Sequence, residues 1–239
     1  MAKLLIGLFM AISFQGSSQL TIQAISDSVF VYTTYKEYNQ MMVPSNGVYY
    51  LTSEGIVMID VPWDTSQLPI LLDTMMKMHN MQPIMSISTH FHDDRTAGLT
   101  YLDSIGVKTY STSFTKRLCI EHGEEQATNT FIEDTTFTVG GHSFSTYYPG
   151  KGHAPDNILV FLKDENILIG GCFVKSYEAK DLGYLGDANV GSWLISTKKV
   201  LKKYPSVDLI IPGHGNWKGT KSIKKTRKLL GKFIRENRR

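Results

Sequence analysis

Histidine and carboxylate side chains cluster where apolar, strand-like runs of the sequence give way to loops. His90, His92 and Asp94 form a His-x-His-x-Asp run directly after one apolar segment, and His153 and His214 each follow a glycine in later loops. Loops at strand ends commonly present functional groups. Imidazole, carboxylate and thiolate donors together suit zinc, whereas Mg²⁺ and Ca²⁺ prefer oxygen ligands. The candidate ligands are His90, His92, Asp94, His153, Cys172 and His214.

Six candidate ligands exceed the needs of one tetrahedral zinc site and match two sites that each keep an open position. We predict that His90, His92 and His153 hold the first zinc, and that Asp94, Cys172 and His214 hold the second. A site of three protein ligands leaves room for water, which is typical of catalytic zinc. Two neighbouring metals can share a hydroxide whose pKa falls towards 7, and this supplies a nucleophile at neutral pH.

The remaining histidines lie in helical or turn contexts without neighbouring ligands. We assign no role to His79, His122 and His142. The chain has two cysteines, and we expect Cys119 and Cys172 to stay unpaired, since Cys119 lies in a helical pattern and Cys172 follows a Gly-Gly turn. Binding to zinc as a thiolate would protect Cys172 in an oxidising compartment.

The elements that position these residues follow a β-then-α rhythm in each half of the chain. In the first half the sequence predicts strands at 29–32, 48–52, 56–60, 83–88 and 107–110, with helices at 65–79 and 114–127. In the second half it predicts strands at 143–148, 158–162, 167–169 and 207–211, with helices at 190–204 and from 222 onward. Because no linker separates the halves, we predict an α/β fold, an αβ/βα four-layer sandwich, as a single domain over residues 19–239.

Composition and charge agree with a globular protein. The chain has 239 residues, 42% of them hydrophobic, and a net charge of +3. Residues 218–239 hold ten Lys or Arg and one acid, Glu236. We interpret this segment as a solvated helix face rather than a nucleic-acid site. Residues 1–18 have the positive start, short apolar run and small residues of a signal peptide, so the sequence predicts export to the periplasm.

The ligand motifs, taken in order along the chain, resemble those of class B metallo-β-lactamases, subclass B1, of the flavobacterial chromosomal type. The resemblance rests on the His90–Asp94 run, Gly152-His153, Gly171-Cys172, Lys175, the 186–189 segment and Gly213-His214-Gly215. It implies hydrolysis of the β-lactam amide bond of penicillins, cephalosporins and carbapenems by a zinc-bridging hydroxide, and thus antibiotic resistance. It also implies the αβ/βα fold and two Zn²⁺ per chain.

The resemblance assigns further roles. Asp94 would orient the nucleophile, Lys175 would bind the substrate carboxylate, and Asn189 would contact the substrate and polarise the lactam carbonyl. The 35–45 segment would form a mobile hairpin over the site, and Trp63 would either line the pocket edge or pack in the core. We expect a small β-lactam substrate, a monomer, and neither nucleic acid nor membrane as a partner.

Two alternative functions stay open on sequence grounds. The first is a thioesterase similar to glyoxalase II, which shares the fold. Such enzymes usually have a histidine directly after the motif's aspartate, where this chain has Arg95. They also have a metal-bridging aspartate at the position of Cys172. A non-catalytic zinc-binding protein is the other alternative, and it would favour closed sites with four protein ligands.

Overall fold

The strands of this chain form two β-sheets, one from each half of the sequence. The computed structural model describes residues 20–132 and 134–237, so the predicted signal peptide lies outside the described residues. The first sheet has seven strands in the order β1-β2-β3-β4-β5-β6-β7. Its strands are β1 (Thr21–Ala24), β2 (Val29–Tyr38), β3 (Met41–Thr52), β4 (Gly55–Ile59), β5 (Pro83–Ile87), β6 (Lys108–Thr112) and β7 (Asn129–Phe131). Strands β1 to β4 pair antiparallel and β4 to β7 pair parallel.

The second sheet has five strands in the order β12-β11-β10-β9-β8. They are β8 (Thr136–Val139), β9 (His142–Tyr147), β10 (Leu159–Leu162), β11 (Ile167–Gly171) and β12 (Leu209–Pro212). All neighbours pair antiparallel except β11 and β12, which are parallel. The carboxyl ends of β11 and β12 therefore reach the same edge of the sheet.

Helices cover the outer faces of both sheets. They are α1 (Gln67–His79), α2 (Asp93–Thr96), α3 (Leu99–Ser104), α4 (Ser113–His122), α5 (Val190–Lys203) and α6 (Ser222–Glu236). Leu68 and Leu71 of α1 pack with Met58 of β4 in one apolar cluster, and Trp193 of α5 packs with Leu168 of β11 in another. A third cluster, which includes Val57, Ile87, Val160 and Ile169, fills the space between the sheets. The predicted αβ/βα sandwich is confirmed.

One predicted boundary differs from the structure for a local reason. The predicted helix 114–127 ends at His122, because Gly123 adopts a left-handed conformation (φ +75°) and caps the helix. The 35–45 segment forms the predicted hairpin, in which β2 and β3 stay paired up to Tyr38 and Met41. Asn39 and Gln40 have φ of 50° and 62°, the left-handed backbone that a two-residue hairpin turn needs.

Candidate metal centre

The strand ends of both sheets meet at one edge of the sandwich, where loops bring the six predicted ligands together. His90 lies three residues beyond β5, Cys172 follows β11 directly, and His214 follows β12. The backbone of Gly213 runs very close to its neighbours: a Cβ atom there would lie 2.7 Å from the Cys172 sulfur and 2.8 Å from the Arg95 guanidinium. Only glycine allows this approach, so the glycine that precedes His214 is required by the close packing of Cys172 and Arg95.

Asp94, Cys172 and His214 form the more compact part of the cluster. The Asp94 Oδ2 atom lies 2.8 Å from His214 Nε2, and it accepts a hydrogen bond from the Cys172 thiol at 3.2 Å. Burial opposes the charged form of Asp94, yet the Arg95 guanidinium holds the pKa of that carboxyl well below its usual range. Burial raises the pKa of the Cys172 thiol, although Arg95 partly counters it. The predicted second ligand set is thus assembled around an ionised carboxylate.

His90, His92 and His153 form the other part of the cluster. Their rings contact one another edge to face, with centroid separations between 4.7 and 5.2 Å. Burial lowers the pKa of His90 and His153 well below the ordinary value, so both imidazoles stay neutral at pH 7. Neutral imidazole is the form that binds metal. The Nδ1 atoms of His90 and His153 are buried and have no hydrogen-bond partner among the described residues.

The two parts form one continuous cluster of donor atoms. Among the described residues, three triplets have ligand atoms that lie within 4.8 Å of one another. His90, Asp94 and Cys172 each belong to two of these triplets. The triplets are Asp94 with Cys172 and His214, His90 with His92 and Asp94, and His90 with His153 and Cys172. Donors that are shared in this way fit two closely spaced ions better than one isolated ion.

Hydrogen bonds from outside the cluster fix which ring nitrogens face inward. His214 Nδ1 donates to the Pro44 carbonyl at 2.8 Å, and His92 Nε2 donates to Asp187 Oδ2 at 2.9 Å. His214 Nε2 and the ionised Asp94 carboxylate are then two acceptors 2.8 Å apart, an arrangement that a cation between them would stabilise. Together with the mixed nitrogen, oxygen and sulfur donor set, this shows that the residues fit zinc.

Arg95 stabilises the cluster through hydrogen bonds to Asp94 and to the backbone around it. This fully buried side chain donates to Asp94, Asp60, the Asn46 carbonyl and the Gly213 carbonyl at 2.7 to 3.3 Å. Burial raises the pKa of Asp60 to about 6, although Arg95 and the amide of Thr89 favour its charged form. This structural role of Arg95 does not follow from its place in the sequence, where the residue only distinguishes the chain from thioesterases of the same fold.

Comparison with known proteins places the chain in a family. Residues 87–214, just over half of the chain, match the sequence profile of the Metallo-beta-lactamase superfamily. The chain is 39% identical to a protein named Metallo-beta-lactamase type 2 from Elizabethkingia meningoseptica, over 92% of this chain and 88% of that one. It is 36% identical to Metallo-beta-lactamase IND-1 from Chryseobacterium indologenes, over 87% of each. The chain belongs to the metallo-β-lactamase family. The family predicted from the motifs is thereby confirmed.

A solved relative has the same architecture. A metallo-beta-lactamase from Pontibacter korlensis superimposes with a TM-score of 0.86 at 35% identity, covering 89% of this chain and 99% of that one. The first sheet, the second sheet and their helices therefore follow the metallo-β-lactamase fold as predicted.

Lys175 and Asn189 lie near the cluster of ligand residues, and their roles in substrate binding stay predictions. Lys175 is half-buried, its Nζ atom lies 5.4 Å from the Trp193 ring centroid, and burial lowers its pKa. Asn189 caps helix α5, since its Oδ1 accepts a hydrogen bond from the Ser192 amide at 2.9 Å. The Asn189 amide also donates to the Gly152 carbonyl, one residue before His153.

Aromatic side chains border the cluster on two sides. Trp63 packs against His214 with ring centroids 5.9 Å apart and against Tyr38 of the hairpin at 5.5 Å, so it lies between the cluster and the hairpin. On the other side Tyr184, 54% exposed, contacts His92 at 5.7 Å. Tyr184 and the carboxylate of Asp187 are contacts that the sequence analysis missed. Only the Gly186-Asp187-Ala188-Asn189 segment pointed towards them.

Cys119 and the three other histidines lie outside this arrangement. Both cysteines are free and buried, as predicted. His79 packs against Phe30, His122 packs against Phe91, and His142 hydrogen-bonds Tyr50. Among the described residues, none of the three belongs to a metal-ligand triplet.

Proposed function

We propose that this chain is an exported, zinc-dependent β-lactamase that hydrolyses the amide bond of β-lactam antibiotics. The observation that carries the proposal is the convergence of Cys172 and His214 within 3.2 Å of the Asp94 carboxylate, beside His90, His92 and His153. The relatives named metallo-beta-lactamases support it, since they cover most of this chain. In this proposal His90, His92 and His153 hold the first Zn²⁺, and Asp94, Cys172 and His214 hold the second.

The ions would supply Lewis acidity and lower the pKa of a water molecule, which is the usual contribution of zinc in hydrolases. The chain supplies the remaining steps. Asp94 is ionised and can accept a hydrogen bond from the attacking water, which orients it towards the lactam carbonyl carbon. Attack breaks the C–N bond, and the ring nitrogen takes up a proton from water. No side chain forms a covalent intermediate.

Substrate binding in this proposal uses groups on both sides of the cluster. Lys175 pairs with the carboxylate of the β-lactam, and its half-buried setting strengthens this charge interaction by excluding water. Asn189 donates from its free amide group to the lactam carbonyl, while its Oδ1 stays bound to the helix. Tyr38, Met41 and Met42 at the hairpin tip are 44 to 64% exposed, so the hairpin offers an apolar surface to the antibiotic.

The test uses the purified mature protein with a chromogenic cephalosporin, a carbapenem and a glutathione thioester. We expect both β-lactams to be hydrolysed, the reaction to stop with a chelator, and added zinc to restore it. Hydrolysis of the thioester without β-lactam turnover would support the thioesterase alternative. Tight zinc binding without turnover of any substrate would support a non-catalytic zinc-binding protein.

Export and oligomeric state belong to the same proposal. The leader at 1–18 directs the chain to the periplasm. The mature protein acts as a monomer on a small molecule.

No helix in the described part of the chain has the length and apolarity to cross a membrane. Cell fractionation should find the activity in the periplasm, and removal of residues 2–18 should leave it in the cytoplasm. Light scattering should give the mass of one chain.

A further inference from the structure

Helix α6 carries its basic residues along one side. Successive residues of an α-helix are 100° apart, so Lys221, at its N-terminal cap, the helix's exposed basic residues and the partly exposed Lys225 fall within an arc of about 100°. The buried residues Ile223, Leu229 and Leu230 lie on the opposite side and pack onto the second sheet. The basic stripe of α6 consists of Lys221, Lys224, Lys225, Lys228, Lys232 and Arg235.

Helix α5 extends this stripe. Trp193 and Val200 of α5 pack in the same apolar cluster as Leu230 of α6, so the two helices lie side by side on the outer face of the molecule. Lys198 and Lys202, one turn apart, are exposed opposite that buried face. We call these two lysines and the stripe of α6 the basic face.

The basic face has almost no acidic neighbours in its own helices. Glu236 is the only acidic residue in α5 and α6, and it lies 3.9 Å from Lys232. Residues 218–239 contribute ten basic residues and one acid, whereas residues 1–217 contribute fifteen basic residues and twenty-one acids. Positive charge is therefore concentrated in this face while the rest of the chain carries an excess of acids, so the face favours approach to an anionic surface.

The composition of the basic face favours a lipid surface over nucleic acid. Its charges are lysines except for Arg235, and no aromatic side chain lies between them for base stacking. Ile195, 59% exposed, lies on the same outward side of α5 as Lys198 and Lys202. An apolar side chain among lysines suits contact with headgroups and the upper acyl chains. We infer that the basic face docks this protein reversibly onto membranes that contain anionic phospholipid.

This inference goes beyond the sequence-based expectation, which named no membrane partner, and it does not depend on the catalytic proposal. The test is cosedimentation of the full mature protein with vesicles of phosphatidylglycerol and phosphatidylethanolamine, and with vesicles of phosphatidylcholine alone. We expect binding to the anionic vesicles in 50 mM salt, no binding to the neutral ones, and loss of binding in 500 mM salt.

A matched pair of variants separates the basic face from net charge. K224Q/K228Q/K232Q removes three charges from the face, and K77Q/K108Q/K163Q removes three exposed charges elsewhere. At about 1 kcal/mol per lysine near an anionic surface, the loss of three lysines should weaken binding of the first variant roughly 150-fold relative to the wild type. The second should bind within about threefold of the wild type, and circular dichroism should show that both are folded.

Three results would overturn the inference. They are failure of the wild type to bind anionic vesicles in 50 mM salt, equal weakening in the two variants, and capture by duplex DNA without vesicle binding. The β-lactamase assay is run on the same samples in solution and is expected to be unchanged in both variants. A failure of docking is thus distinguishable from a failure of the proposed catalysis.

Discussion

The two parts of the metal cluster reach ligand-ready geometry by different routes. One part, formed by Asp94, Cys172 and His214, contacts a buried cation. The Arg95 guanidinium donates a hydrogen bond to Asp94 and lies 3.2 Å from His214 Nε2. In the three-histidine part the rings contact one another, and no arginine hydrogen-bonds to it among the described residues. One part can thus accommodate negative ligand charge, whereas in the other burial keeps His90 and His153 deprotonated. The difference teaches that the two proposed zinc ions should respond differently to mutation and to protons.

The largest effect should come from Asp94→Asn, because Asp94 belongs to triplets in both parts and also orients the water. We expect β-lactam turnover to fall about 1000-fold, within the range for losing a positioned acid–base group. Asp93→Asn is the matched control, since this neighbouring carboxylate is exposed and pairs with Lys36 at 3.1 Å. Steady-state kinetics should show the control within twofold of the wild type. Equal losses in the two variants would contradict the assigned role.

Cys172→Ser should separate the two parts most clearly. A serine hydroxyl does not ionise as a thiol does, so affinity for the second zinc should fall by roughly 100-fold while the first zinc stays bound. Cys119→Ser, at a buried cysteine of helix α4, is the control and should leave both affinities unchanged. Competition with a chromogenic zinc chelator gives the two affinities. Loss of both ions in Cys172→Ser would show that the parts are not separable.

Zinc binding should depend on pH at one part and not at the other. The pKa of the Cys172 thiol is raised by burial, so the thiol is protonated without metal at pH 6 to 8 and must release one proton when zinc binds. Affinity for the second zinc should therefore fall about tenfold for each unit that the pH drops from 8 to 6. His90 and His153 have lowered pKa values and are already neutral, so the first affinity should change little. Calorimetry at pH 6, 7 and 8 measures both slopes, and equal slopes would refute the contrast.

The smallest effect should come from Asp187→Asn, which removes the carboxylate that accepts from His92 Nε2. Partners of this kind orient the ring and raise its basicity, so the first zinc should bind about tenfold more weakly. The second zinc should keep its affinity, because none of its proposed ligands contacts Asp187. Asp208→Asn, an exposed change elsewhere, is the control. An unchanged first affinity would show that the His92 contact is unimportant.

The sequence was sufficient for the fold and for the ligand candidates, because both depend on local patterns. Apolar runs such as 83–88 place strands, and loop histidines after them stand out by type. Short polar strands such as β7 and β8 carry no such pattern, and their place is set by pairing with distant strands. The partners of Arg95 were also out of reach, since Asp60, Asn46 and Gly213 meet it only in the folded chain. Asn189 shows the same limit, because its capping bond appears only once the start of α5 is known.

The hairpin and the ligand His214 share hydrogen bonds. Pro44 of β3 accepts from His214 Nδ1, and the Asn46 amide donates to the Gly213 carbonyl at 2.8 Å. A ribbon paired through to its turn bends mainly at such a base rather than along its length. Coupling of this kind is reciprocal. A molecule that holds the hairpin still also restricts the motion of His214, and a metal bound to His214 restricts the motion of the hairpin. We therefore expect an inhibitor that clamps the hairpin to slow the escape of zinc without touching it.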